Sequence, residues 1–420
     1  MTHCPGLMIL ISSILVSTAS AAQRDWTQWR GAQRDGKSPE KGLVQTIPEA
    51  GLPLLWKSEG FGRGYSSVTI TDGRIFTLGR IDDKECLIAA NAEDGTILWA
   101  TPFGDGDHCN GTPTVDGDVV YAISLKGDLI CARVATGEAV WTKTFAGDFG
   151  GKMMSGWGYS ESPLVDGDRL IVTPGAKDAI IVALDKRTGD EIWRATEPDY
   201  SQKGNDGAGY SSVVISKGAG VKQYVQLTGR GVMGVRAKDG KFLWGYDAVA
   251  NGTANISTPL VHGDYVFAST GYGTGAALLK LSRDGDGVKA SEEYFLNAKD
   301  FQNHHGGMIL HRGHIYAGTK HNKGFPTCLN MKTGKVVWGG DIRGPGEGSA
   351  AVLFADNNLV FRYQNGIVAL IKATPDAYEL LGSFTPAHQE GKSWSHPVIL
   401  DGRLYLREQG TMMCYDMRAK

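Results

Sequence analysis

Residues 158–162 read Gly-Tyr-Ser-Glu-Ser, close to the G-x-S-x-G turn that presents a nucleophilic serine between a strand and a helix. An apolar run and a second turn, "PLVDG" (163–167), follow instead of a helical pattern. The fifth residue is Ser162, and Gly-Tyr-Ser-Ser recurs at 64–67 and 209–212. The motif therefore opens a strand and is not a nucleophile elbow. Glu161 within it keeps its interest. A carboxylate among small polar neighbours is costly to bury unless it is paired or bound to a cation, so Glu161 is a candidate general base or calcium ligand. His304-His305 and His396 are candidates for proton transfer or ligand contact. Residues 282–293, "SRDGDGVKASEE", carry several EF-hand residue types, but Ser282 and Lys289 stand at unsuitable positions and no helical pattern flanks them. They read as a plain turn.

Two phrases recur along the chain and must position these candidates. The first is a small polar start, an apolar run and a tight turn, as in "GTPTVDG" (111–117), "SESPLVDG" (160–167) and "STPLVHG" (257–263). Its turn falls at Asp72, Asp116, Asp166, Lys217, His262, Arg312, Asp356 and Asp401, spaced 44 to 51 residues apart. The second is an apolar strand, a T-G or D-G turn and a strand ending in tryptophan, as in "IVALDKRTGDEIW" (181–193). Trp56, Trp99, Trp141, Trp193, Trp244 and Trp338 hold that last position, with Tyr294 substituting in the fifth unit.

Two hairpins per unit make a four-stranded blade, and eight units predict an all-β, eight-bladed β-propeller. The eighth unit ends after three strands; its missing outer strand stands before unit one as "LPLLWKS" (52–58). The N-terminal strand is expected to pair into the last blade and remove an exposed sheet edge. Cys131, Cys328 and Cys414 fall at the small-residue position of the third strand and read as core residues. Cys86 and Cys109 lie elsewhere and could pair. In a propeller, the loops that start the inner strands converge on one mouth of the central channel. Aligning the first phrase gathers Tyr65, Asn110, Trp157, Tyr159, Glu161, Tyr210, Asn255, His304, His305, Trp394 and His396 around that mouth. Glu161 and His396 are the candidate catalytic groups there. The pair in "WTQWRG" (26–31) reads as packing of the lead-in segment onto the propeller.

The pattern ALD-x-x-TG-x-x-x-W after SP-x-V-x-DG resembles the PQQ-like β-propeller repeat of the quinoprotein alcohol dehydrogenase-like superfamily, over about residues 52–420. "WTQWRGAQRDGKS" (26–38), "NHHGG" (303–307) and "LYLREQGTMMCYD" (404–416) resemble secreted bacterial proteins of this class. The resemblance implies two alternatives: enzymes that hold pyrroloquinoline quinone (PQQ) with Ca²⁺ and oxidise alcohols or sugars, or propellers of outer-membrane protein assembly that bind proteins. This chain has no adjacent cysteine pair of the kind that contacts the quinone in those enzymes, no matched calcium set, no C-x-x-C-H haem motif and no lipid-attachment cysteine after its apolar leader.

That leader, "LMILISSILV" (7–16) followed by Ala19-Ser20-Ala21, has the form of a cleaved secretory signal and is too short to span a bilayer. Residues 1–21 are expected to be the signal, 22–51 a lead-in segment and 52–420 the propeller. A net charge of −2 and no block of like charges argue against a nucleic-acid partner. The sequence thus points to an exported periplasmic or extracellular protein without an integral membrane anchor or haem. It is expected to bind a small ligand, glycan or protein at the channel mouth. The alternative is a PQQ- and calcium-dependent dehydrogenase of alcohols, polyvinyl-alcohol-like ones included. An occluded, aromatic-floored pocket would suit the enzyme; an open channel or exposed apolar patch would suit a binding module.

Overall fold

The computed structural model describes residues 1–2 and 25–419; the expected signal at 1–21 lies almost wholly outside these residues. Eight antiparallel four-stranded sheets form the blades of a propeller. Seven are sequential, spanning residues 69–104, 114–144, 164–195, 214–246, 260–297, 308–338 and 350–384. The eighth takes three strands from 398–416 and its outer strand from Leu54–Glu59. That strand runs antiparallel to Thr411–Asp416, with Trp56 opposite Cys414. Among the described residues no helix is long and apolar enough to cross a membrane.

The repeated phrases have physical causes. At the inner turns, Asp72-Gly73 and Asp401-Gly402 place both residues at positive φ, the type I′ geometry that matches the twist of paired strands. Each outer-strand tryptophan faces a small third-strand residue: Trp141 faces Cys131, Trp338 faces Cys328, and Trp193 faces Ala183. The ring then reaches the next blade. Trp99 Nε1 donates to the Val134 carbonyl and Trp338 Nε1 to that of Thr374. The turn glycine beyond must stay small, since a Cβ on Gly189 would lie 2.9 Å from the Trp141 ring. Tyr294 does the same in blade 5, its hydroxyl donating to the Met331 carbonyl. The described cysteines are all free and buried.

The small polar starts of the inner strands form a hydrogen-bonded chain around the channel. Ser67 N donates to Thr112 Oγ1, Thr112 N to Ser162 Oγ and Ser162 N to Ser212 Oγ. Each hydroxyl satisfies a backbone N–H that the short inner strand leaves unpaired. Ser67 Oγ in turn donates to the His396 carbonyl, so the chain reaches across the seam between blades 8 and 1.

The lead-in segment crosses this ring. Trp26 exchanges backbone hydrogen bonds with Ile70 of blade 1, and Thr27 accepts from Val115 of blade 2. Arg34 donates to the carbonyls of Ser162 and Pro163 beside blade 3, and Arg30 to that of Met308 in blade 6. Gly36 and Ser38 pair with Phe354 of blade 7. Expected only to pack, the segment also closes the channel from one side.

Candidate functional site

Above that closure lies a cavity of about 330 Å³ whose lining includes Trp29 and Arg30 from the lead-in segment. The rest of the lining comes from loops that open the inner strands and from the Gly-rich turn at Tyr272. Its volume is at the lower end of small-molecule sites, about 300–1,000 Å³. One wall is aromatic. Tyr65 and Trp394 lie 4.8 Å apart between ring centroids, Trp157 and Trp394 5.7 Å, and the rings are tilted rather than parallel. A second wall carries two imidazoles: His305 stands 4.9 Å from Trp394 and 4.6 Å from His304, with His321 outside the lining, 4.3 Å from His304. The Trp29 ring lies 4.5 Å from His396.

His304 is held at both nitrogens, by Ser349 Oγ at 2.6 Å and the Tyr272 hydroxyl at 3.1 Å. His396 Nε2 sits 3.1 Å from the His305 carbonyl and therefore carries a proton to donate. Burial, reinforced by neighbouring positive groups, depresses all three titrations: His304 to about 2, His305 and His396 to about 3. These imidazoles are neutral at physiological pH and serve as hydrogen-bonding groups rather than as cations. Arg30 is the charged member of the lining. Burial lowers its titration to about 10, which leaves it protonated. Two buried nitrogens of this lining, Arg30 Nη1 and His305 Nε2, have no hydrogen-bond partner.

Of the residues the sequence placed at the mouth, Tyr65, Asn110, Trp157, Tyr210, His304, His305, Trp394 and His396 line the cavity. Three do not, and each is a correction. Glu161 turns into the seam between blades 3 and 4, where it accepts from Thr173 N and Oγ1, both at 2.7 Å, and from Gln226 Nε2 at 3.4 Å. It is 2 % exposed, and burial raises its titration to about 7. Tyr159 packs edge-on against Phe145 of the single-turn helix Phe145–Phe149 and donates to the Pro174 carbonyl. Asn255 donates to the carbonyls of Thr228 and Gly229. The sequence reading missed Trp29, Arg30 and Tyr272 as lining residues. For Arg30 a signal existed: it is a cation in a segment expected to pack onto the propeller.

The family model described as outer membrane protein assembly factor BamB, PQQ_2, matches residues 83–340, more than half of the chain. The chain belongs to this family. Curated relatives carry the same description. That of Kangiella koreensis is 26 % identical over 222 residues, covering 50 % of this chain and 49 % of the relative. That of Burkholderia pseudomallei is 27 % identical over 117 residues, covering 26 % and 27 %. The chain thus spans about half or less of the curated relatives it matches. Among solved structures, BamB from Moraxella catarrhalis superposes with a TM-score of 0.56 at 16 % identity, covering 81 % of this chain and 95 % of that one. The quinohemoprotein alcohol dehydrogenase of Comamonas testosteroni gives 0.64 at 14 % identity, covering 96 % and 82 %. At these identities the likeness establishes the fold.

This PQQ_2 propeller meets one requirement of a quinone site and fails another. Its cavity has an aromatic wall, one feature a quinone site needs. Calcium takes six to eight oxygen ligands, carboxylates foremost, whereas no carboxylate among the described residues lines the cavity. Glu161, the candidate ligand, spends both oxygens inside the seam. The donors present are imidazoles, hydroxyls, one amide and a guanidinium, a set that does not fit a calcium–quinone pair.

Proposed function

We propose that this chain is an exported binding propeller that holds a small ligand, or one end of a glycan, in the cup at its channel mouth. The observation that carries the reading is a concave cavity with an aromatic wall, a buried arginine in its lining and no carboxylate. The assembly-factor description of its relatives supports binding over catalysis, and a protein partner would use the loops around the cup. The aromatic wall favours the second reading, a PQQ-dependent alcohol dehydrogenase, which the donor set opposes.

Calorimetric titration of the protein with PQQ, with and without Ca²⁺, followed by alcohol-dependent dye reduction, separates the two. The expected result is no calcium-dependent saturation and no turnover. Saturable, cation-dependent binding with turnover would make the chain a quinoprotein dehydrogenase.

A further inference from the structure

A second concavity, of about 650 Å³, opens beside the cup between the loops of blades 6, 7 and 8. Lys323, Arg343 and Lys392 line it together with the glycine-rich loop 344–348 and a single acid, Glu347. All four charged side chains are exposed. None of the three cations has a carboxylate within ion-pairing distance among the described residues, whereas exposed cations elsewhere commonly do, as in Lys84–Asp105 and Lys177–Asp199. The cleft therefore carries an unneutralised positive charge.

The two concavities share walls. Lys392 Nζ sits 4.6 Å above the Trp394 ring, and Trp394 Nε1 donates to Gln364 Oε1 at 2.8 Å. Trp394 lines the cup; Lys392 and Gln364 line the cleft. On the other flank, Asn322 of the cleft accepts from Ser349 Oγ, which bonds His304 of the cup. A ligand leaving the cup past Trp394 enters the cationic cleft at once.

The cup's own chemistry narrows the occupant. Six serine and threonine residues contribute to its lining, a set suited to a ligand with several hydroxyls. The aromatic rings are tilted by 42° and 60° to Trp394. Such a bowl accepts the C–H faces of a puckered sugar ring better than a flat ring, which calls for parallel walls. At the floor, Arg30 Nη2 is bound to the Met308 carbonyl. Nη1 lies unpartnered beside Gly307, whose added Cβ would collide with it; Gly307 and Arg30 both line the cup.

We infer that the cup and cleft together form one site for an acidic oligosaccharide. One sugar ring seats against Trp157, Tyr65 and Trp394 with its anionic group toward Arg30, and the acidic groups of the following sugars lie along Lys392, Lys323 and Arg343. The inference rests on the proposed reading of the cup as a ligand site, and deepens it. Carboxylate and sulfate supply the same anionic chemistry, and the test distinguishes them.

Tryptophan fluorescence and calorimetry would compare four probes: oligogalacturonates, sulfated chondroitin oligosaccharides, neutral cello-oligosaccharides and PQQ. The expected result is binding of one acidic series, weakening as salt rises, with the neutral series at least tenfold weaker. The Lys323→Ala/Arg343→Ala/Lys392→Ala variant, altered only at exposed positions, should lose about tenfold or more while its melting temperature holds. Trp157→Ala should lose binding as well. Equal binding of the neutral series would overturn the acidic inference and leave the cup as a ligand site. Acidic binding unchanged in both variants would place the contact elsewhere and overturn it too. PQQ as sole binder would return the cup to the quinone reading, and no binding by any probe would remove the inference and its basis together.

Discussion

Between blades 7 and 8, Arg362 and Glu408 are both completely buried and 2.8 Å apart. Arg362 also donates to the Ser395 carbonyl, and Glu408 accepts from Ser393 Oγ and Glu390 N. At the mouth of the same channel, Arg30 is buried as well, yet it has no carboxylate within ion-pairing distance among the described residues. Seam and cup use similar groups to different ends. In the seams, polar side chains knit one blade to the next. Arg407 shows the same economy, reaching Thr77 Oγ1 and the carbonyls of Phe61, Gly62 and Leu78 across the closing junction. In the cup, the charge of Arg30 stands beside a cavity without a carboxylate to pair it. Substitutions in the seams should therefore act on stability, and those in the cup on ligand.

The largest expected effect lies in the seam. Arg362→Ala strands Glu408 as a buried lone charge and should cost ~3–5 kcal/mol, read as a lowered midpoint in urea unfolding; a loss under about 1 kcal/mol would break the contrast. The next is pH-dependent. Burial raises Glu161 and Glu197 to about 7. Each stays protonated in the folded state where the unfolded chain has already ionised, so the stability these groups provide declines as pH rises from about 4.5 to 7. The depressed imidazoles of the cup act oppositely, since the unfolded chain binds protons below about 6.5 that the folded cup refuses; stability falls as pH falls through that range. Glu161→Gln with Glu197→Gln should remove the alkaline decline, giving a curve that rises from acid to pH 8 and differs from the parent by about 3 kcal/mol for each of the two groups across that span. Parallel curves for variant and parent in thermal melts from pH 4 to 8 would refute the assignment. His305→Gln should flatten part of the acid-side fall while changing stability at pH 7.5 by only about 1 kcal/mol. The smallest effect belongs to Trp157, 43 % exposed. Trp157→Ala should shift stability by at most about 0.5 kcal/mol; a large drop in melting temperature would make this ring part of the scaffold.

The same division decides what was legible in the sequence. Blades could be counted because each seam demands the same local chemistry: a turn that tolerates positive φ at Asp72-Gly73, and a tryptophan such as Trp141 over a small residue such as Cys131. The substitution of Tyr294 for tryptophan was legible too, because its hydroxyl serves the Nε1 role. Side-chain direction at the mouth was only partly so. Tyr65 and Tyr159 occupy equivalent places in the repeat, but Tyr159 is drawn away by Phe145, which belongs to an insertion found in blade 2. Glu161 is drawn into the seam by Thr173 and by Gln226, 65 residues downstream. Arg30 reaches the cup through Met308, 278 residues away. No local pattern encodes contacts of that range.

The strand Leu54–Glu59 completes a blade whose other strands lie beyond residue 397. A chain made from its N-terminus onward must keep this strand unpaired until Thr411–Asp416 exist. Joining the ring is then among the last folding events, delayed by the entropy of closing a loop of more than three hundred residues. Until that moment the nascent propeller presents two raw sheet edges. Closure of the ring waits for the final six-residue strand to find its partner.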